Sequence, residues 1–409
     1  VTERAGTLRA IAVPAYLPAV LYGMGQGAVA PAIALSARDL GASLGLAGLV
    51  VAVLGVGQVC GDVPAGALAA RVGEQRALLG AVAVALLALV GCIVAPSVAV
   101  LALGVFALGL ANSVFGLARQ AYLTEVVPLH LRARALSTLG GTLRIGTFVG
   151  PFAAAPLILV AGTDAAYGLH VVVAVLAASV LLVVPDRRPH DDAAPGPRRG
   201  SAPSASPQGV RTVVRRHRSV LLTLGTAVVL VGAVRASRQA VVPLWADHLG
   251  VDAATTSVVY GVSGLLDTLL FYPSGKVMDI RGRTWVAVPS MAVLGVAHLL
   301  LPLTAGTASL LAVAVLLGVG NGMGAGVVMT VGADVSPSAG RAEFLGVWRL
   351  FHDAGSAVGP LVVSAGTALL TLGAGVAAMG VVGLGAAGLL ARRLPQAAPG
   401  RPGGQSTGE

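Results

Sequence analysis

Apolar residues run through this chain in long continuous blocks, not in the alternating or narrow one-sided stripes of a soluble domain. Residues 81–90 with their flanks, and residues 171–184, are two examples. A helix needs about 20 such residues to cross a bilayer. A membrane barrel instead shows alternating strands of roughly ten residues with aromatic girdles. The pattern predicts twelve helical spans, at about 10–35, 44–68, 76–95, 98–121, 134–160, 165–185, 218–245, 254–277, 284–303, 307–331, 343–366 and 369–391. Ala95-Pro96-Ser97, Ala161-Gly162-Thr163-Asp164 and Leu301-Pro302 mark short connections between them. Residues 186–217 are rich in Pro, Ser, Gly and Arg and have no apolar period, so they predict a linker. The expected organisation is a six-helix half over 1–185, the linker over 186–217, a second six-helix half over 218–393 and a disordered tail over 394–409.

Composition agrees. Of 409 residues, 56% are apolar and only 11% charged, where a soluble domain carries about 25% charge. That excludes a soluble enzyme, and the hydrophobicity excludes a disordered chain. The 3 Trp, 6 Tyr and 7 Phe are few for a barrel. The net charge of +10 does not point to nucleic acid, because its arginines fall in short loops between apolar runs. With both termini inside, 21 of the 27 basic residues fall in inner segments, eight of them between Asp186 and Arg218, and Arg38 alone in an outer loop. The bias predicts cytoplasmic termini. Arginine outnumbers lysine, of which Lys276 is the single example, and Ala, Gly and Val are abundant. That is the usage of a GC-rich bacterial genome, so a bacterial inner membrane is expected. Residues 11–34 are read as a first span, not a cleaved signal. Cys60 and Cys92 fall inside apolar segments and are expected to be buried thiols.

The two halves repeat at an offset of 209. Pro64, Gly66 and Gly73 recur as Pro273, Gly275 and Gly282; Leu108-Gly109 and Asn112 as Leu317-Gly318 and Asn321; Gly146, Gly150 and Pro151 as Gly355, Gly359 and Pro360; Leu40-Gly41 as Leu249-Gly250. A parallel repeat joined by a basic linker is a transporter architecture, with the substrate site expected near the bilayer midplane between the halves.

Two motifs carry a family resemblance. The loop after the eighth span holds Gly275, Asp279, Arg281, Gly282 and Arg283, and the loop after the second holds Gly66, Arg71 and Gly73. They resemble the signature loop of the major facilitator superfamily, with Ile280, Ala70 and Glu74 departing from it. The glycines are expected to allow a tight turn between helices, and the aspartate and arginines to hold one gating state. Gly146, Gly150 and Pro151 in the fifth span resemble the Gly-x-x-x-Gly-Pro motif of drug:proton antiporters, although the basic residue which that group carries in the fourth span is Val105 here. The resemblance implies twelve transmembrane helices in two pseudo-symmetric bundles, with the first, fourth, seventh and tenth spans lining a central cavity.

Ionisable residues inside spans are functional candidates. The resemblance implies that the second span packs on the eleventh and the fifth on the eighth, so two pairs across the halves are expected, Asp62 with Arg349 and Arg144 with Asp267, while Asp353 can pair with Arg349 one turn away. Protonating a carboxylate in such a pair releases its arginine and couples a proton to rocking. Arg119 is expected to snorkel, and His298 and His352 to pack through hydrogen bonds. Tyr22, Gln26, Asn112, Arg235, Arg238 and Asn321 are the expected substrate contacts. The expected activity is proton-coupled efflux of a small organic molecule, a drug or metabolite, by a monomer. The alternatives are a proton-coupled importer of an organic acid or nutrient, and a receptor on the same fold. No metal spacing, phosphate loop or catalytic set is apparent, so neither a cofactor nor an enzyme activity is expected.

Overall fold

In the computed structural model, residues 2–127, 132–183, 210–337 and 340–394 are described. The tail and most of the linker lie outside them. The described chain is helical throughout: α1 (Thr2–Asp39), α2 (Leu44–Val72), α3 (Glu74–Ile93), α4 (Val98–Val126), α5 (Arg132–Ala161), α6 (Asp164–Val183), α7 (Val210–Arg216), α8 (Arg218–His248), α9 (Ala253–Arg281), α10 (Thr284–Leu300), α11 (Thr307–Met323), α12 (Val327–Val335), α13 (Arg341–Leu369) and α14 (Leu372–Arg393). The first six are spans one to six; α8, α9 and α10 are seven to nine; α11 and α12 together make ten; α13 and α14 are eleven and twelve.

Eleven of these spans are long and apolar enough to cross a membrane. The twelfth, α13, has the length at 29 residues but carries Arg349, His352 and Asp353 in its middle. Its polar face is turned to the cavity described below, which is why hydropathy alone passes over it. Outward-facing side chains elsewhere are apolar and bare, as at Leu87, Leu159, Val160 and Val183. Such a surface is stable against lipid, not water.

Within the first half α1 packs on α5 and α6, and α4 on α2 and α3; within the second, α8 packs on α13 and α14, and α9 and α10 on α11. The halves meet through α2 against α13 and α5 against α9, with α1 near α8 and α9. The repeat is visible in the backbone. Gly41 and Gly250 have φ of 83° and 71°, and Gly73 and Gly282 have 86° and 93°. These left-handed positions suit glycine and end or start a helix at equivalent places.

Three expectations need correction. Gly66 and Gly275 lie inside α2 and α9, so the tight turns are made by Gly73 and Gly282 alone. The end of the linker is helical: α7 covers residues 210–216, because Val213 is apolar enough to bury in the core formed with Phe344. Cys92 is buried, but Cys60 is exposed.

Candidate functional site

A cavity of about 670 Å³ lies between the halves. Its wall runs from Val51 and Pro360 in mid-bundle to Ala333 and Leu345, nearer the end where the linker joins α8. At the opposite end the halves touch. The Ser364 hydroxyl donates to the Gly45 carbonyl at 2.6 Å. Arg38 Nε lies 2.7 Å from Asp247 Oδ2.

Two charged clusters stand on the wall, each spanning both halves. In the first, Arg144 on α5 donates to Asp267 Oδ1 on α9 at 2.8 Å. Asn321 Nδ2 on α11 donates to the other oxygen at 2.6 Å, and Arg238 Nη2 on α8 stands 3.7 Å from it. Arg238 Nη1 also donates to Ser263 Oγ at 3.0 Å, and its guanidinium lies 5.4 Å from the Tyr260 ring centroid. Arg144 lies over Phe271 at 4.7 Å. Arg235, one turn before Arg238, donates to the Gly324 carbonyl at 2.6 Å. That carbonyl is presented because residues 324–326 interrupt the tenth span between α11 and α12. Glycines at 322, 324 and 326 weaken the helix there.

In the second cluster Asp62 on α2 accepts from Ser113 Oγ on α4, a short contact, and its Oδ1 is 3.8 Å from Arg349 Nη2 on α13. Arg349 Nε is 3.3 Å from Asp353 Oδ2, and His352 Nδ1 is 3.1 Å from Asp353 Oδ1. Asp62 from one half and Asp353 from the other thus converge on Arg349. Two carboxylates held close together share a proton comfortably and repel without one.

Of the expected substrate contacts, Arg235, Arg238 and Asn321 lie on the cavity wall, joined by Arg144 and Gln239. Tyr22 does not. Its ring is fully buried, stacked 3.9 Å from Phe115, and its hydroxyl donates to Asn112 Oδ1 at 2.9 Å. Tyr22 and Asn112 thus hold α1 to α4 inside the first half. Gln26 is not part of the cavity wall either. Repeat symmetry pointed to these positions, but the halves are not equivalent: α8, α11 and α13 supply most of the polar wall, and the first half adds Gln58, Gln120 and Arg144 instead. Both expected ion pairs are present, and Asp353 belongs to the second of them.

The remaining motif residues have packing or loop roles. A Cβ at Gly146 or Gly150 would run into the Val20 or Met24 carbonyl of α1; one at Gly355 or Gly359 would meet Val229 or Ala233 of α8. Pro151 and Pro360 follow inside their helices. The motif is therefore a close-packing device used twice. Arg71 and Asp279 are exposed, and Arg283 forms a two-pronged pair with Asp334 at 2.7 and 3.2 Å. Arg119 does not snorkel: it is 2% exposed and lies 6.0 Å from the Tyr122 ring centroid. His298 is buried between Ser237 Oγ at 2.9 Å and the Leu294 carbonyl at 2.7 Å. Sequence reasoning missed the Arg38–Asp247 contact, although its spacing equals the repeat offset. It also missed the interruption at 324–326, for which the glycine run was the available signal.

Twelve long helices in two repeated bundles around a charged central cavity define a membrane transporter of the alternating-access kind. The chain belongs to the major facilitator superfamily, whose family model matches residues 16–266 and 224–408. A Bacillus subtilis (strain 168) chain named as a metabolite transport protein is 35% identical over 123 residues, 30% of this chain and 27% of that one. The match thus spans about a quarter of that relative. Among solved structures, a D-xylose-proton symporter has a TM-score of 0.72 at 16% identity, covering 95% of this chain and 98% of that one. The xylose transporter of E. coli in an inward-open conformation gives 0.70 at 16%, covering 95% and 97%. A POT family transporter in complex with 5-aminolevulinic acid gives 0.72 at 12%, covering 93% and 95%. At these identities the structures are similar in fold.

Proposed function

We propose that this chain is a proton-coupled secondary transporter of a small polar organic molecule, acting as a single chain in a bacterial inner membrane with its termini and linker in the cytoplasm. The observation that carries the reading is the Asp62–Arg349–Asp353 cluster, in which carboxyl groups from both halves converge on one arginine. A proton there turns one carboxylate neutral and loosens its hold on Arg349; loss of the proton restores it. Rocking of the halves must remake these contacts, so proton occupancy and cavity access are linked. Each half supplies part of the cavity wall, so one chain is a complete unit.

Export is the direction suggested by the likeness of the fifth span to drug:proton antiporters. Import is favoured by the polar wall, and a D-xylose-proton symporter is among the similar folds. A wall bearing arginines, amides and a carboxylate suits a metabolite better than an apolar drug. Proteoliposomes of the full chain test the reading. Under an imposed proton gradient, flux of a substrate drawn from a panel of organic acids, sugars and amino acids should exceed flux without it. The sign of that flux fixes the direction. Absence of gradient-driven flux for the whole panel would overturn the reading and favour the receptor alternative.

A further inference from the structure

The first cluster is unbalanced in charge. Arg144, Arg235 and Arg238 converge on one wall of the cavity, and the single carboxylate among them is Asp267. The other groups that touch these arginines are the Ser263 hydroxyl, the Gly324 carbonyl and the faces of Phe271 and Tyr260. They supply hydrogen bonds and ring contacts but no negative charge. Within this cluster two guanidinium charges are thus left without a counterion among the described residues, in a membrane interior where uncompensated charge is costly. The second cluster sets two carboxylates, Asp62 and Asp353, against Arg349, so it offers at most one negative charge and still leaves a guanidinium of the first cluster uncompensated.

Two further observations point into the same space. Arg238 is buried, 8% exposed, and its Nε has no hydrogen-bond partner among the described residues. A guanidinium N–H left unpaired at that depth awaits an acceptor. Val328 and Met329, in the first turn of α12, line the same cavity. Helix amides in a first turn have no partner within the helix and carry the positive end of its dipole.

We propose that this wall is an oxyanion site: the transported molecule carries a carboxylate or phosphate-class group that docks on Arg238, flanked by Arg235 and Arg144, with the first turn of α12 facing it. The inference deepens the transporter reading and rests on it. An oxyanion accepts from the free Nε edge of Arg238 and neutralises charge that a sugar cannot. An organic cation is repelled. Asp267 then acts as the resident counterion, competing with the substrate for Arg144 and Arg238.

The test uses the full chain purified in a neutral detergent. Its melting temperature is measured against benzoate, succinate, glycerol 3-phosphate and inorganic phosphate, with benzamide and xylose as neutral controls and tetraphenylphosphonium as a cation. At least one oxyanion should raise it saturably and the controls should not. The carboxylate and phosphate arms show which source the site takes. Arg238→Gln should weaken that binding roughly tenfold to a hundredfold, since a charge-assisted contact contributes about 1.5–3 kcal/mol, and Arg238→Lys should recover part of it. If the variants do not fold, phenylglyoxal modification of Arg238 in the unaltered protein should be slowed by the same oxyanion. No response to any oxyanion, an equal response to the neutral or cationic controls, or unchanged affinity and unchanged modification would overturn the proposal. Gradient-driven flux of a neutral solute would overturn it while sustaining the transporter reading. Oxyanion binding without flux of any solute would sustain the site and overturn that reading.

Discussion

Arg38 and Asp247 occupy the same position in the two repeats, and they bind each other. The offset between them is the repeat offset of 209, and Nε to Oδ2 is 2.7 Å. Identical places at the ends of α1 and α8 have diverged into opposite charges that meet near the pseudo-two-fold axis. The contact closes the end of the cavity remote from the linker, together with the Ser364–Gly45 hydrogen bond.

Because Arg38 and Asp247 are each about a third exposed, the pair contributes about 0.2–1 kcal/mol. Asp247→Asn should therefore shift the population toward opening at this end by up to about fivefold. Gly45→Cys places a thiol at the same seam, and in a background lacking Cys60 and Cys92 its labelling rate should rise by that factor in Asp247→Asn. An unchanged rate would show that the pair is ornamental to closure.

The second cluster predicts a division between coupling and exchange. Asp62→Asn removes one of the two carboxyl groups that converge on Arg349. Uphill transport driven by a proton gradient should fall to background, while exchange of substrate across the membrane at equal concentration persists. Asp353→Asn should behave likewise, since it strips Arg349 of its nearer partner at 3.3 Å. Loss of exchange and uphill transport together would assign these residues to folding or binding.

The glycine pairs predict equivalent damage in the two halves. A Cβ at Gly150 meets the Met24 carbonyl, and one at Gly359 meets the Ala233 carbonyl. Backbone cannot move aside as a side chain can. Gly150→Ala and Gly359→Ala should each cost about 1–3 kcal/mol, read as a lower melting temperature in detergent. Gly140→Ala, where an added Cβ has nothing within 4 Å, should be tolerated.

Asp252 caps α9 from outside the bilayer. Its carboxylate accepts from the Thr255 hydroxyl at 2.6 Å and the Thr255 amide at 2.9 Å, and these bonds hold it below the ordinary value of 3.8. A depressed carboxylate contributes stability at neutral pH and loses it as pH falls through its folded value. Asp252→Ala should lower stability at neutral pH by about 0.5–1 kcal/mol. The gap from the unaltered protein should narrow as pH drops past 3.8. A gap that is constant with pH would remove the carboxylate from the account.

Hydropathy and the repeat made the helices and the halves legible, since each depends on residue type and spacing along one chain. The inter-half ion pairs needed in addition the packing of spans that the family resemblance implies. The cavity wall was legible only in part, because helix rotation decides which face looks inward and spacing within a helix does not report it. Tyr22 and Asn112 show this: both are polar groups in the expected helices, yet they turn to each other. Arg144 was legible as a partner of Asp267 but not as cavity wall, since the rotation of α5 decides that. The interruption of the tenth span is a tertiary effect, in which Arg235 and Ser290 take the carbonyls of Gly324 and Gly320.

Asp267 separates the gating and binding roles most sharply. It accepts from Arg144 at 2.8 Å and from Asn321 at 2.6 Å, and lies 3.7 Å from Arg238. Asp267→Asn keeps the shape but removes the negative charge, so three guanidiniums then face an incoming oxyanion without a resident competitor. Binding should be retained or tightened, by roughly tenfold where one charged contact is released. The bridge from α5 to α9 would weaken at the same time, because an amide holds Arg144 less firmly than a carboxylate. Proton-driven transport should therefore be abolished while oxyanion binding survives in the same preparation. Full transport by Asp267→Asn would reject its gating role, and loss of binding would make Asp267 part of the substrate's own cradle.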